Sequence, residues 1–164
     1  SSRSVASCYT SKLEFSTRCS NDDAIMSKKK TAKKYEKPVD YFKNFYEWPK
    51  DWMGAEEDLI IGIALLTQFT PFIESLIKQG LAVKTIKHHM GNLAVLGSEI
   101  IRRLNDGDEK NRNLPPRRLL LEYIDDQHGP LVDHWDPNDS IEETHLKAFD
   151  STCRKLFKFT SASI

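Results

Sequence analysis

The sequence predicts an all-α protein: a bundle of four to five helices, orthogonal or irregular in packing, behind a disordered or extended N-terminal tail. Two observations lead to this prediction. Apolar residues recur at intervals of three and four along several segments, which is the helical period. No segment alternates apolar and polar residues over a useful length. With 164 residues, the chain is long enough to bury a core.

The first predicted helix is short and follows the tail. Pro38 suits its start, because proline is favoured in the first turn of a helix, and the helix covers about Val39 to Glu47. Trp48-Pro49 should end it, since a residue that precedes proline disfavours the helical region of backbone space.

The second predicted helix spans about Ala55 to Gln79. Carboxylates at 56–58 crowd its first turn, where negative charge suits the helix dipole. Apolar residues on two sides are typical of the central helix of a bundle. Pro71 should kink this helix or divide it into two, and Gly80 suits its C-cap. The two apolar stripes are Leu59, Ile63, Leu66, Ile73 and Ile77, and Ile61, Leu65, Phe69, Phe72 and Leu76.

The third predicted helix, from about Val83 to Leu104, has the clearest pattern. Its apolar or small residues recur at alternating intervals of three and four, so they share one face. A polar loop over 105–113 ends it. The apolar face carries Ile86, Met90, Leu93, Gly97, Ile100 and Leu104, and the opposite face carries Lys84, Lys87, His88, Gly91, Val95, Ser98 and Arg102.

Two further helices complete the predicted bundle. The fourth enters at Pro115-Pro116 and extends to about Gln127. The last begins near Asp139-Ser140, where Ser140 and Glu143 match a capping box and Asp139 is an alternative cap. The apolar face of this last helix consists of Leu146, Phe149, Cys153, Leu156 and Thr160.

The net charge of zero conceals an asymmetry between two regions. Residues 1–37 hold nine basic and four acidic side chains, and the remainder is acidic by the same margin of five. We predict a Ser/Thr-rich and then Lys-rich tail over 1–37, and a single helical domain over 38–164. Residues 1–25 lack apolar periodicity, and we interpret them as an added or upstream extension ahead of an ordinary start at Met26. A transit peptide and a segment docked on the body are the alternatives.

No motif indicates an enzyme, so we predict no catalytic residues, no metal site and no cofactor. Three cysteines without a C-x-x-C pair fit neither a disulfide framework nor a zinc knuckle, and they suit a reducing cytoplasm. The longest strongly apolar run, Leu59 to Leu66, is far shorter than the ~20 residues that span a bilayer, so we predict no membrane association. Zero net charge argues against a histone-like coat on nucleic acid. We therefore predict that the protein is a non-enzymatic binding module.

Two basic features are candidates for contact with DNA or with a DNA-acting complex. One is the polar face of the third helix, where Gly91 and Ser98 are small enough for a phosphate backbone to approach. The other is the tail, because a terminal basic block often forms a nucleic-acid arm. Either feature could instead be a solvated surface. The candidate residues are Lys84, Lys87, His88 and Arg102 on the helix, and Lys28, Lys29, Lys30, Lys33 and Lys34 in the tail.

Aromatic residues concentrate between positions 35 and 52, interleaved with lysines. This cluster has three interpretations: a stacking platform for single-stranded nucleic acid, a partner-binding patch, or a plug for the open end of the bundle. The second interpretation gives the alternative function, a protein-interaction or regulatory adaptor that uses segment 41–52. Its anchors would be Tyr41, Tyr46, Trp48 and Trp52.

The segment from Phe69 to Leu93 combines an apolar helix, a turn at Gly80-Leu81, and Lys84-Thr85-Ile86 at the opening of the next helix. This segment resembles the core-binding (SAM-like) domain of tyrosine recombinases and phage integrases. The resemblance implies a bacterial, helical domain that clamps one side of duplex DNA, with Lys84, Thr85, Lys87 and His88 near phosphates. It implies no recombination activity, because no His is followed by Arg three positions later and only 71 residues follow Leu93.

Overall fold

The computed structural model describes residues 34–132 and 140–162, and within these residues it contains six α-helices, two 3-10 turns and no β-strand. The predicted all-α class is confirmed. Three long helices contact one another, and three short helices pack against them. The helices are α1 (Pro38–Tyr41), α2 (Trp48–Trp52), α3 (Asp58–Lys78), α4 (Val83–Asn105), α5 (Pro116–Leu121) and α6 (Ser140–Ala162), with 3-10 turns at Phe45–Glu47 and Glu109–Asn113.

The region predicted as the first helix is broken into pieces. α1 ends at Tyr41, and a new helix, α2, begins at Trp48, where the sequence predicted an end. Pro49 lies in the first turn of α2, where its missing N–H has no intrahelical acceptor to lose. This proline therefore starts a helix, and the prediction that it only terminates one was wrong.

α3 continues as one helix through Pro71, so the predicted division into two helices does not occur. Pro71 is exposed, and its ring faces solvent. Phe69 and Phe72 on either side are almost fully buried and hold both halves against the core. The Thr70 hydroxyl donates a hydrogen bond to the carbonyl of Leu66 at 2.8 Å, one residue before the Thr67 carbonyl that lacks a donor from Pro71.

The long helices lie side by side with alternating direction. Gly80 has a φ of +76°, in the left-handed region that favours glycine, and it reverses the chain between α3 and α4. Phe72 of α3 contacts Phe159 of α6, with ring centroids 5.7 Å apart. Both α3 and α6 therefore end near the point where α4 begins. We call this the turn end of the bundle.

The aromatic segment closes the opposite part of the core. Phe45 is fully buried, and its ring leads through Trp48 and Trp52 to Phe69 with centroid distances of 4.9, 6.1 and 6.1 Å. Gly97 of α4 provides the space, because a Cβ atom there would lie 2.4 Å from the Trp52 ring. The rings of Phe45, Trp48 and Trp52 therefore belong to the buried core.

α5 ends at Leu121, six residues before the predicted end of this helix. The chain turns because the Asp125 carboxylate accepts hydrogen bonds from the backbone N–H groups of Gln127 and His128, at 2.7 and 2.8 Å. Such a local side-chain turn competes with helical hydrogen bonding. The last helix, α6, begins at Ser140 as predicted. The predicted caps, Asp139 and the Ser140 side chain, lie outside the part of the chain that the structure describes.

Asp58, at the start of α3, is a fully buried carboxylate that joins three parts of the chain. It accepts hydrogen bonds from the backbone N–H groups of Gly54 and Ala55, both at 2.9 Å. Asn105, at the end of α4, donates to it at 3.0 Å, and Arg112 forms an ion pair with it at 2.9 Å. The network fixes the α2–α3 loop and the second 3-10 turn against the end of α4.

Candidate nucleic-acid interface

A groove between α4 and α6, near the turn end, contains three of the residues predicted to contact nucleic acid. Its volume is about 300 Å³. Lys84, Thr85 and His88 line it from α4, and all three are exposed. We call it the α4–α6 groove. Its complete lining is Lys84, Thr85, His88, His89, Asn92, Ala148 and Ser151.

A set of hydrogen bonds across the floor holds the two walls of the groove in register. His89 Nδ1 lies 2.7 Å from the hydroxyl oxygen of the buried Thr152. Asn92 donates from Nδ2 to the same oxygen at 2.9 Å and to the carbonyl of Ala148 at 3.2 Å. Because both walls are regular helices tied at the base, the side chains above them are presented from a rigid frame.

The groove is electropositive. No carboxylate lines it, and neither 75–98 nor 151–162 contains an acidic residue. Burial, and then the positive charges of Lys155 and His88, lower the pKa of His89. The effect of Lys155 on His89 shows that a second lysine, exposed on α6, lies near the groove that Lys84 lines.

The start of α4 adds to this positive field. Ala82 occupies the N-cap position without a side-chain hydrogen bond, and the first turn contains no acidic residue. The N–H groups of that turn therefore keep the partial positive charge of a helix N-terminus. Lys84 and Thr85 belong to this turn, so side-chain and backbone donors occur together there.

Lys87 and Arg102 do not join the groove. Lys87 is half-buried on α4 and does not line it. Arg102 lies 18 residues after Lys84 along α4, which is ~27 Å at 1.5 Å per residue. Its guanidinium pairs with Glu99 and, at 2.8 Å, with Asp106. Lys84 and Arg102 therefore lie at opposite ends of α4, and acidic partners neutralise Arg102.

Arg102 instead borders a larger cavity of about 520 Å³ between α2 and α4. Trp52, Ala94 and Val95 give this cavity apolar walls, and Asp51 and Glu99 add carboxylates. Glu99 and Arg102 pair within this lining and Asp51 adds a carboxylate, so the cavity has no excess of positive charge and does not extend the candidate interface.

Of the tail residues predicted to contact nucleic acid, Lys34 is described and exposed. Lys28, Lys29, Lys30 and Lys33 lie outside the described residues. At the beginning of the described chain, the backbone N–H groups of Glu36 and Lys37 donate to the Asp40 carboxylate at 2.9 and 2.8 Å.

The four predicted adaptor anchors are not equally accessible. Tyr41, Trp48 and Trp52 are buried in the core cluster, with less than a tenth of each side chain exposed. Tyr46 is 62% exposed and touches Phe45 with its ring. Three of the four anchors therefore stabilise the fold and are not available to a partner in this structure.

The sequence analysis did not single out His89, Asn92 and Ser151, which line the candidate groove, or Lys155, whose charge reaches His89. Their common signal is the absence of acidic residues over 75–98 and 151–162, a pattern visible in the sequence. That pattern does not reveal that α4 and α6 are neighbours, because about 60 residues separate the two walls. The groove is a product of tertiary packing.

The described residues contain no group of three or more His, Cys, Asp or Glu side chains placed to hold a metal ion. Cys153 is buried, and burial raises the pKa of its thiol, which suppresses the nucleophilic thiolate. In the same part of the chain, α3 alone is long and apolar enough to cross a membrane, a test that core helices of soluble proteins also pass.

Comparison of the chain with protein-family models, curated proteins and solved structures gives no match. The interpretation of the groove therefore depends on its own geometry.

Proposed function

We propose that this protein is a non-enzymatic helical module that binds the phosphate backbone of duplex DNA, alone or within a DNA-acting complex, through the α4–α6 groove. The observation that carries the proposal is the composition of this groove: Lys84 and His88 on the α4 wall, one hydroxyl side chain on each wall, and no carboxylate among the lining residues. Phosphate contacts in protein–DNA complexes come mainly from Lys, Arg, Ser, Thr and helix N-termini.

The contacts have distinct roles. Lys84 supplies charge from the α4 wall, and exposed Lys155 of α6 supplies charge from beside the groove. Thr85 and Ser151 supply short hydroxyl donors from the lining. His88 is exposed and adds charge when protonated. These are the residue types that supply most phosphate contacts, so we expect backbone binding with little sequence preference. The Lys-rich tail adds a further electrostatic contact in this proposal.

The adaptor alternative has less support. Its segment 41–52 offers Tyr46 as an exposed anchor, whereas interfaces usually depend on a cluster of buried aromatic contacts. A stacking platform for single strands has the same difficulty, because the Trp48 and Trp52 rings are enclosed.

The test is a fluorescence-anisotropy titration of a labelled DNA duplex at several salt concentrations. The variant carries Lys84→Glu and Lys155→Glu. It should weaken binding at least tenfold and reduce the slope of log K against log salt by about 2, because each lost phosphate contact removes about one unit.

The matched control carries Lys50→Glu and Lys110→Glu, two exposed lysines far from the groove. It introduces the same change of net charge and should lose much less affinity. The proposal fails if the wild-type protein does not bind duplex at low salt, or if both variants lose affinity equally.

A further inference from the structure

His89 differs from the other ionisable side chains that line the α4–α6 groove. Lys84 and His88 are exposed, whereas His89 is half-buried and contacts the buried Thr152 of α6 through its Nδ1 atom. A change in the protonation of His89 therefore alters the charge of the groove and the hydrogen bonds of its floor together.

The Thr152 hydroxyl can serve either protonation state of His89. Its oxygen lies 2.7 Å from Nδ1 of His89, 2.9 Å from Nδ2 of Asn92 and 3.2 Å from the carbonyl oxygen of Ala148. When His89 is neutral with its proton on Nε2, the hydroxyl donates to Nδ1 and accepts from Asn92. When His89 is protonated, Nδ1 donates to the hydroxyl oxygen, and the hydroxyl donates to Ala148 instead. Protonation thus breaks no contact between the two walls.

The charges around His89 disfavour its protonated form in the free protein. The titratable and charged groups that face it are Lys84 and His88 from α4 and Lys155 from α6. The Asp150 carboxylate of α6 accepts a hydrogen bond from the backbone of the preceding loop instead. Burial, and then Lys155 and His88, hold the pKa of His89 below its ordinary 6.5. The groove therefore lacks a negative charge that would stabilise a protonated imidazole.

A phosphate group bound in the groove supplies that charge, because an anion close to a histidine favours its protonated form. We infer that binding of duplex DNA is coupled to the uptake of one proton from solvent at Nδ1 of His89, so that affinity rises as pH falls. This inference rests on the proposed function and names a regulation of the same site. By linkage, a bound phosphate that promotes protonation is itself bound more tightly by the protonated protein.

The first experiment is an NMR titration of the histidine ring signals of the full chain against pH, at low salt, with and without saturating duplex. His89 should titrate below pH 6.5 in the free protein and about one pH unit or more higher in the complex. His128 is the internal control, because it lies in the Asp125 turn and does not line the groove. Its midpoint should move much less.

The second experiment measures duplex affinity by fluorescence anisotropy from about pH 8 to pH 5.5 at constant salt, a range that spans the ordinary histidine pKa. The affinity of the wild type should rise as pH falls, and one proton contributes up to about tenfold per pH unit. His89→Gln should make this dependence shallower and leave affinity at pH 8 within about threefold of wild type, because neutral glutamine replaces a neutral imidazole. His128→Gln is the matched control and should keep the wild-type dependence.

The outcomes separate this inference from the proposed function. A duplex complex in which the His89 midpoint does not rise overturns proton uptake and leaves DNA binding intact. A His89→Gln variant with the full wild-type pH dependence does the same. If no complex forms at low salt, the proposed function and this inference both fail.

Discussion

Asp58 is the more deeply buried of the two buried carboxylates in the described residues, the other being Glu99. Its sequence position in the first turn of α3 predicted only a favourable interaction with the helix dipole. Burial alone would raise the pKa of its carboxyl from the ordinary 3.8. Hydrogen bonds from Asn105, Ala55 and Gly54, with Arg112, outweigh burial and lower the pKa to about 2. The partners come from distant segments, which is why spacing in the sequence did not reveal them.

Removal of this carboxylate should destabilise the fold. Asp58→Ala leaves Arg112 without its buried partner and should lower the free energy of unfolding by about 3 kcal/mol. Chemical denaturation measures this loss. Asp51→Ala, at an exposed carboxylate, is the control and should change stability by less than about 0.5 kcal/mol. Equal losses in the two variants would contradict the role assigned to Asp58.

The same group makes a pH-dependent contribution to stability. A carboxyl whose pKa is lower in the folded state stabilises the fold above its ordinary pKa, and it loses that contribution as pH falls through the folded value. The Asp58 contribution should therefore be complete above about pH 4 and should disappear toward pH 2. Thermal unfolding from pH 5 to 2 should show a shallower fall for Asp58→Asn than for the wild type. If the melting temperatures of the two proteins fall in parallel with pH, Asp58 does not make this pH-dependent contribution.

At the scale of the element, α4 illustrates how one helix serves both the core and the surface. Gly97 faces Trp52, where a Cβ atom would lie 2.4 Å from the ring, whereas Gly91 has nothing within 4 Å of its Cβ position. The two glycines therefore have different effects on the helix. Gly97 is required by packing against Trp52, whereas Gly91 only lowers helix stability.

This difference predicts opposite effects of one substitution. Gly97→Ala should destabilise the protein by about 2 kcal/mol through overpacking against Trp52. Gly91→Ala should stabilise it by about 0.5–1 kcal/mol through improved helix propensity. Melting temperatures of the two variants provide the measurement. A stabilised Gly97→Ala variant would show that Trp52 does not lie against α4.

The long helices were predictable because each carries an apolar pattern over many turns. The predicted bounds of α3 and α4 agree with the structure to within a few residues, and Ile86, Met90, Leu93 and Ile100 are all buried as expected. The short helices α1, α2 and α5 were not predictable in detail. Their ends depend on local competition, such as the Asp125 turn, and on aromatic packing against distant helices.

At the scale of the whole molecule, the turn end is distinguished by two acid-free segments, 75–98 and 151–162, which carry its basic residues. Acidic residues at 47–58 and 99–109 lie toward the other end, where Arg102, Arg103, Lys110 and Arg112 also occur. The zero net charge is therefore a poor guide to how this protein meets a polyanion, because binding depends on the local field.

The most direct test of the proposed groove is a chemical-shift map of the isotope-labelled protein titrated with a DNA duplex. We predict that the perturbed amides cluster in residues 84–92 of α4 and 148–155 of α6, and that added salt reverses the shifts. Perturbations centred on the cavity between α2 and α4, or spread without a focus on the α4–α6 groove, would contradict DNA binding through this groove.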